Sequence, residues 1–156
     1  GTIQLDFQQP KNFGLRYIDS AGKEIQPVTF HKAIYRSLER FLGILIENYI
    51  GALPVWLAPV QVILLPIADR HNEYAQKEQK ELAAAGIRVE ADIRSERLQA
   101  KIRDATLQKV PFMGIIGDKE IADNAISVRK RNGEDLGSLK ISSFLDQILN
   151  EIDKKI

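Results

Sequence analysis

Residues 60–65, Val-Gln-Val-Ile-Leu-Leu, are held between Pro59 and Pro66 and carry a single polar side chain. So short and so apolar a run fits a strand covered on both faces, the kind found inside a parallel sheet. The residues that follow keep to that constraint. Residues 69–85 have a helical pattern, with Asp69 as cap and Gly86 as stop. Residues 87–93 alternate as a strand, Ser95 is positioned to cap a helix over 96–108, and 111–117 (PFMGIIG) form another buried strand. Strand and helix therefore alternate, which calls for parallel βαβ units. Residues 125–131 and 136–140 flank Asn-Gly-Glu-Asp, a hairpin signal. A last helix starts at Ser142 or Ser143 and has Phe144, Ile148 and Ile152 as its stripe. The expected fold is α/β, a mixed, mostly parallel sheet flanked by helices.

The first third of the chain has another rhythm. Residues 2–7 alternate polar and apolar, 10–12 read as a turn, and 15–18 and 25–30 read as strands around Asp-Ser-Ala-Gly-Lys-Glu. The last of these strands is open to continuation as far as Tyr35. Ser37 is then placed as an N-cap for a helix from Leu38 to about Tyr49. Gly51, Pro54 and Pro59 interrupt the pattern. The expected division is residues 1–52, a linker over 53–58, and a domain over 59–156.

Composition narrows the function. The chain has 156 residues, enough for a sizeable core without disulfide or metal, and it has no cysteine. Its 22 basic and 21 acidic residues leave a net charge of +1, so no global field points to nucleic acid or membrane. The stretch LPVWLAPVQVILLPIA is broken by prolines and is too short to span a bilayer. No signal-peptide pattern opens the chain, and Gly1 begins directly on a strand pattern, which suits a piece of something longer. There is no GxGxxG, P-loop, HExxH or GxSxG. Two glycines in GIIGDKE lack phosphate-loop spacing. With His31 and His71 as the two histidines, the chain alone cannot assemble a typical structural zinc site.

Three places admit a bland and a sharp reading. His31, in the strand VTFHKAIY, is either a hydrogen-bonded edge histidine or a metal ligand or base. Arg40 lies beside the stripe Leu38, Phe41, Leu42, Leu45 and Ile46, so it either points to water or meets an anion near the helix start. Between residues 94 and 140 there are ten basic and seven acidic side chains, a local excess of three. Arg129-Lys130-Arg131 there is either a charged strand edge or a phosphate-binding patch. By alternation Arg129 and Arg131 share one face and Lys130 takes the other.

Taken in order, GTIQLDF, HKAIYRSLERFLGILIENYIGALPVWLAPVQV, AGIRVEADIRSERLQAKIRDATLQKVPFMGIIGDKE and ISVRKRNGEDLGSL resemble the C-terminal part of class II, bacterial-type threonyl-tRNA synthetases. The resemblance implies that residues 1–52 are the end of a catalytic domain, with motif 3, and that 59–156 are an anticodon-binding domain. It places Ser37 and Arg40 at ATP, Gln4 at the threonine pocket, and His31 as one of three zinc ligands. It places Glu120, Arg129, Arg103 and Ser95 at the tRNA anticodon, with Glu120 and Arg129 expected to grip a guanine from two sides. The implied parent ligates threonine to tRNA(Thr) using ATP and magnesium, holds zinc, and is a cytoplasmic homodimer. The fragment is expected to recognise the anticodon arm without a complete active site and without holding zinc. The alternative is a standalone, non-catalytic RNA-binding or regulatory paralog. Arg36 supports it, because it stands where the resembling family usually has Gly.

Overall fold

The computed structural model describes residues 1–155, and the chain divides into two compact units, Gly1–Asn48 and Tyr49–Ile156.

In the first unit, β1 (Thr2–Asp6) pairs antiparallel with β4 (Thr29–Ala33), Gln4 opposite His31. Asp6 receives the backbone N–H groups of Gln8 and Gln9 at 2.8 and 3.0 Å. Residues expected as a turn therefore wind into a short helix, α1 (Gln8–Asn12). β2 (Tyr17–Ile18) and β3 (Glu24–Ile25) close the expected hairpin, and Asp19 accepts from Ala21 and Lys23 N–H across it. The run 25–30 does not form one strand; it is divided between β3 and β4. Helix α2 (Leu38–Asn48) begins where Ser37 caps it, Ser37 Oγ accepting from Arg40 N at 3.2 Å. Among its residues none is buried. Arg36, just before the cap, has φ 60°, the left-handed region where a non-glycine residue costs roughly 1–2 kcal/mol.

The second unit holds a five-stranded sheet. In chain order its elements are β5 (Val62–Pro66), a short 3₁₀ turn Asp69–His71, α3 (Asn72–Ala84), β6 (Val89–Ala91), α4 (Leu98–Leu107), β7 (Phe112–Ile116), α5 (Asp118–Ala122), β8 (Ala125–Lys130), β9 (Asp135–Lys140) and α6 (Ile141–Asp153). The strand order is β6-β5-β7-β8-β9, parallel among the first three and antiparallel thereafter. Crossovers from β5 to β6 and from β6 back to β7 run in opposite directions, so one hand of crossover puts their helices on opposite faces. Alternation along β5 follows suit. Val62 and Leu64 pack with Ala75 and Leu82 of α3 and Phe144 and Ile148 of α6. Ile63 and Leu65 pack with Ala105 and Ile102 of α4. The glycines of GIIG are explained by packing. A Cβ on Gly114 would lie 2.8 Å from Leu64 Cδ2, and one on Gly117 would lie 2.8 Å from Ile67 Cδ1.

Residues 53–58, expected as a linker, are packed onto the second unit: Val55 and Ala58 are buried, Gln61 Nε2 donates to Val55 O, and Arg88 donates to Ala58 O and Trp56 O. Helix α4 starts at Leu98 after Arg97, so Ser95 is not its cap. Helix α6 starts one residue before Ser142.

Candidate nucleic-acid interface

Two surfaces of the second unit come from this topology. The first is the rim at the carboxyl ends of β6, β5 and β7. The chain leaves β5 toward β6 and leaves β7 toward β8, so the loops of these adjacent strands diverge, which in open α/β sheets makes a crevice. Three loops meet there, and buried or fixed polar groups tie them together. Lys101, only 2% exposed, donates from Nζ to Pro66 O at 3.0 Å and Asp92 O at 2.9 Å. Carbonyl acceptors are what make a buried ammonium tolerable. His71, also 2% exposed, accepts from Ala68 N at Nδ1 and so donates from Nε2 to Asp118 Oδ1 at 3.0 Å. Asp118 also takes Arg70 in a fork, at 3.0 and 2.5 Å. The Arg70 hydrogen bond first, then the His71 one, hold the Asp118 carboxyl well below the usual carboxylate range. Ser95 lies in the β6–α4 loop and donates to Asp69 Oδ2 at 3.4 Å. Glu120 sits in the first turn of α5, where its Oε2 accepts from Gly117 N at 3.0 Å.

The second surface is the sheet face on the α4 side, over β8 and β9. Of the helices, α4 alone builds the core cluster on that face, and its partners come from β5 and β7. Ser127 and Ser138 lie opposite each other there, and Arg129 is paired in register with Met113. Arg129 is exposed and makes no ion pair among the described residues. Its neighbours are otherwise engaged. Lys130 lies 3.5 Å from Glu151 and 3.7 Å from Glu134, and 5.8 Å from the Phe112 ring centroid. Arg131 donates to Leu53 O at 2.6 Å and Lys109 O at 3.5 Å. Arg131 thus is not free beside Arg129: β8 ends at Lys130, so strand alternation does not reach it. Arg103 is exposed on α4.

Glu120 and Arg129 come from different elements, α5 and β8. Arg129 faces Met113 near the start of β7, whereas Glu120 follows its end. The backbones are separated by three or more strand residues, about 10 Å along the sheet.

In the first unit, Gln4 and His31 are neighbours across β1 and β4, both exposed. His31 Nε2 lies 3.4 Å from Asp6 Oδ2. Asp6 is held below the ordinary carboxylate range, chiefly by the Gln9 N–H, with Gln8 and His31 adding to it. His31 and Asp6 make two metal donors. Among the described residues no cluster of three His, Cys, Asp or Glu exists, so the residues present do not fit a zinc held by three protein ligands. Ser37 is spent as a cap and also donates to Glu39 at 2.7 Å. Arg40 is exposed, so the charge beside the apolar stripe needs no buried partner here. No described helix is long and apolar enough to cross a membrane.

Arg70, His71, Asp118 and Lys101 escaped the reading of the sequence. The partners of Arg70 and His71 lie 48 and 47 residues away in sequence, and no local pattern announces them.

Comparison with known proteins adds the following. The model of the HGTP anticodon family, described as anticodon binding domain, matches residues 61–151. A threonine–tRNA ligase of Alkalilimnicola ehrlichii is 51% identical over 152 residues, 97% of this chain and 24% of that protein. One of Clostridium acetobutylicum is 51% identical over 156 residues, 100% of this chain and 24% of that protein. The chain thus spans about a quarter of the length of these relatives. Among solved structures, the RNA binding domain of threonyl-tRNA synthetase from Cryptosporidium parvum Iowa II superposes with a TM-score of 0.82 at 33% identity, over 96% of this chain and 38% of that one. A prolyl-tRNA synthetase from the same organism shares the fold, with a TM-score of 0.69 at 21% identity, over 94% of this chain and 31% of that one.

Proposed function

The chain belongs to the anticodon-binding domain family, and on that premise we propose that its second unit recognises the anticodon arm of tRNA(Thr). The observation that carries this reading is Arg129: an exposed guanidinium with no acidic partner among the described residues, on β8 beyond the β5 and β7 positions that α4 packs. Such a group can pair with guanine or stack on a splayed base. Threonine anticodons end in guanine and uracil, and the relatives about 50% identical to this chain are threonine–tRNA ligases. With backbones about 10 Å apart along the sheet, Glu120 and Arg129 are spaced to approach one guanine from two sides. Glu120 keeps a carboxylate oxygen, Oε1, to accept from a base while Oε2 caps its own helix. Ser95, in the β6–α4 loop, and Arg103, exposed on α4, are the further contacts of this reading.

The first unit, in this reading, is part of a threonine and ATP site that residues outside this chain complete. Gln4 and His31 would border the amino acid, and Ser37 and Arg40 the nucleotide, where a guanidinium offsets phosphate charge. Threonine ligation with ATP and magnesium, zinc binding, dimer formation and a cytoplasmic location belong to the longer protein. A second reading, a non-catalytic RNA-binding paralog, draws on Arg36, whose long cationic side chain adjoins Ser37 and whose backbone adopts a conformation suited to glycine.

The test is binding of the chain to an RNA hairpin carrying the threonine anticodon loop and to the same hairpin with its anticodon guanine replaced. Tighter binding of the first is expected. Equal affinity for both would leave only backbone attraction and contradict anticodon recognition.

A further inference from the structure

We propose that Arg70 is an additional RNA-contacting residue: a flat cation fixed where three loops meet, on which an unstacked base lies. This rests on the reading of the second unit as an RNA binder.

Arg70 is 67% exposed, yet its guanidinium is held by two hydrogen bonds to Asp118, at 3.0 and 2.5 Å. An exposed pair of this kind adds little to folding stability. What it does is fix a plane. The order starts in the interior: His71 is buried and oriented by Ala68 N–H, and its Nε2 anchors Asp118, which in turn holds Arg70. Gly117 adds to the fit, since the Ile67 side chain occupies the space its Cβ would take. The loop carrying Arg70 is joined to both neighbours that carry proposed RNA contacts. Asp69 receives the Ser95 hydroxyl, and Asp118 precedes Glu120 by two residues in α5.

The fork uses the edge of the guanidinium and leaves its face open. Arginine planes are a recurring platform for splayed bases, and a plane already pinned by a carboxylate loses less rotamer freedom on binding. Beside it runs a groove of about 620 Å³ lined by Tyr74, Ile121, Glu73, Lys80 and Lys77, the last paired with Glu78 at 3.2 Å, which leaves Lys80 to meet the sugar–phosphate chain leading to such a base.

The test uses the full chain and the threonine-anticodon hairpin. Arg70→Ala should weaken binding roughly fivefold or more, the scale of one base stacked on a side chain. Arg70→Lys should not restore it, because lysine keeps the charge and loses the plane. Asp118→Asn, whose amide oxygen still accepts from His71, should stay nearer to wild type than Asp118→Ala. Both Arg70 variants should melt within the slight shift expected for loss of an exposed ion pair, which separates lost contact from lost structure. Wild-type affinity for Arg70→Ala, or for Arg70→Lys, would overturn the proposal. If Arg129→Ala weakens binding while Arg70→Ala does not, this inference alone fails. If the wild-type chain binds no hairpin, both it and the reading of the domain fail.

Discussion

Helices α2 and α6 have similarly strong apolar stripes and opposite fates. Along the α2 stripe, Leu38, Leu42 and Ile46 remain 46–61% exposed, and Phe41 and Leu45 are only part-buried. Along α6, Ile141, Phe144 and Ile148 are at most 6% exposed, packed on Phe112, Ile126 and Val128. An apolar stripe states that a helix needs a partner; it does not supply one. The second unit supplies it, with a five-stranded sheet between helices on both faces. The first unit has two two-stranded sheets and two helices, too little to close a layered core. The difference separates a unit that closes its own core from one that leaves its apolar side chains exposed.

The largest effect should come from separating the units. Residues 49–156 alone should keep one cooperative thermal transition, and residues 1–48 alone should show none by circular dichroism. A disordered 49–156 would break the comparison. Next in size are single truncations. Phe144→Ala removes a fully buried ring in edge-to-face contact with Phe112 and should cost about 3–5 kcal/mol in denaturant unfolding. Leu42→Ala, at a half-exposed position of α2, should cost below about 0.5 kcal/mol. Equal costs would mean that α2 has a packed partner after all. Smaller than the Phe144 loss, and opposite in sign, is the effect of Arg36→Gly. Glycine relieves the left-handed backbone at φ 60° but gains freedom in the unfolded chain, so the net gain should be about 0.5–1 kcal/mol, and a loss would show that the Arg36 side chain contributes contacts.

The smallest effect concerns acid. The Asp118 carboxyl is depressed in the folded state by Arg70 and His71. Its stabilisation is therefore present above the unfolded value, about 3.9, and is lost as pH falls from there toward the folded value. The melting temperatures of wild type and Asp118→Asn should differ at neutral pH, slightly because the pair is exposed, and the gap should narrow below about pH 4. A gap that widens in acid would contradict the assigned ion pairs.

The sheet of the second unit was legible because Val62–Pro66 and Phe112–Ile116 are nearly all apolar and Asn-Gly-Glu-Asp marks the hairpin. Helix α5 was not, since five residues are too few to show a period. Ser95 read as a cap on local pattern, yet its hydroxyl turns to Asp69, 26 residues earlier. The same limit hid the turn that became α1, where one carboxylate, Asp6, gathers two backbone N–H groups. At the interface, strand alternation alone grouped Arg129 with Arg131, and the resemblance singled out Arg129. What became of Arg131 and Lys130 could not be read, because it depends on Leu53 O and on Glu151 of α6. Residue types fix which groups can bind; tertiary neighbours decide which are left free to do so.

The proposed RNA reading rests on the exposed guanidinium of Arg129, in contrast to the engaged Lys130 beside it. The direct measurement is the affinity of wild type, Arg129→Ala and Lys130→Ala for the threonine-anticodon hairpin and for the hairpin with its guanine changed, at matched salt. Arg129→Ala should lose about 1–3 kcal/mol on the first hairpin and little on the second, erasing the discrimination. Lys130→Ala should lower thermal stability and leave discrimination intact. If Arg129→Ala weakens both hairpins equally, Arg129 touches phosphate only and the account of base recognition is wrong.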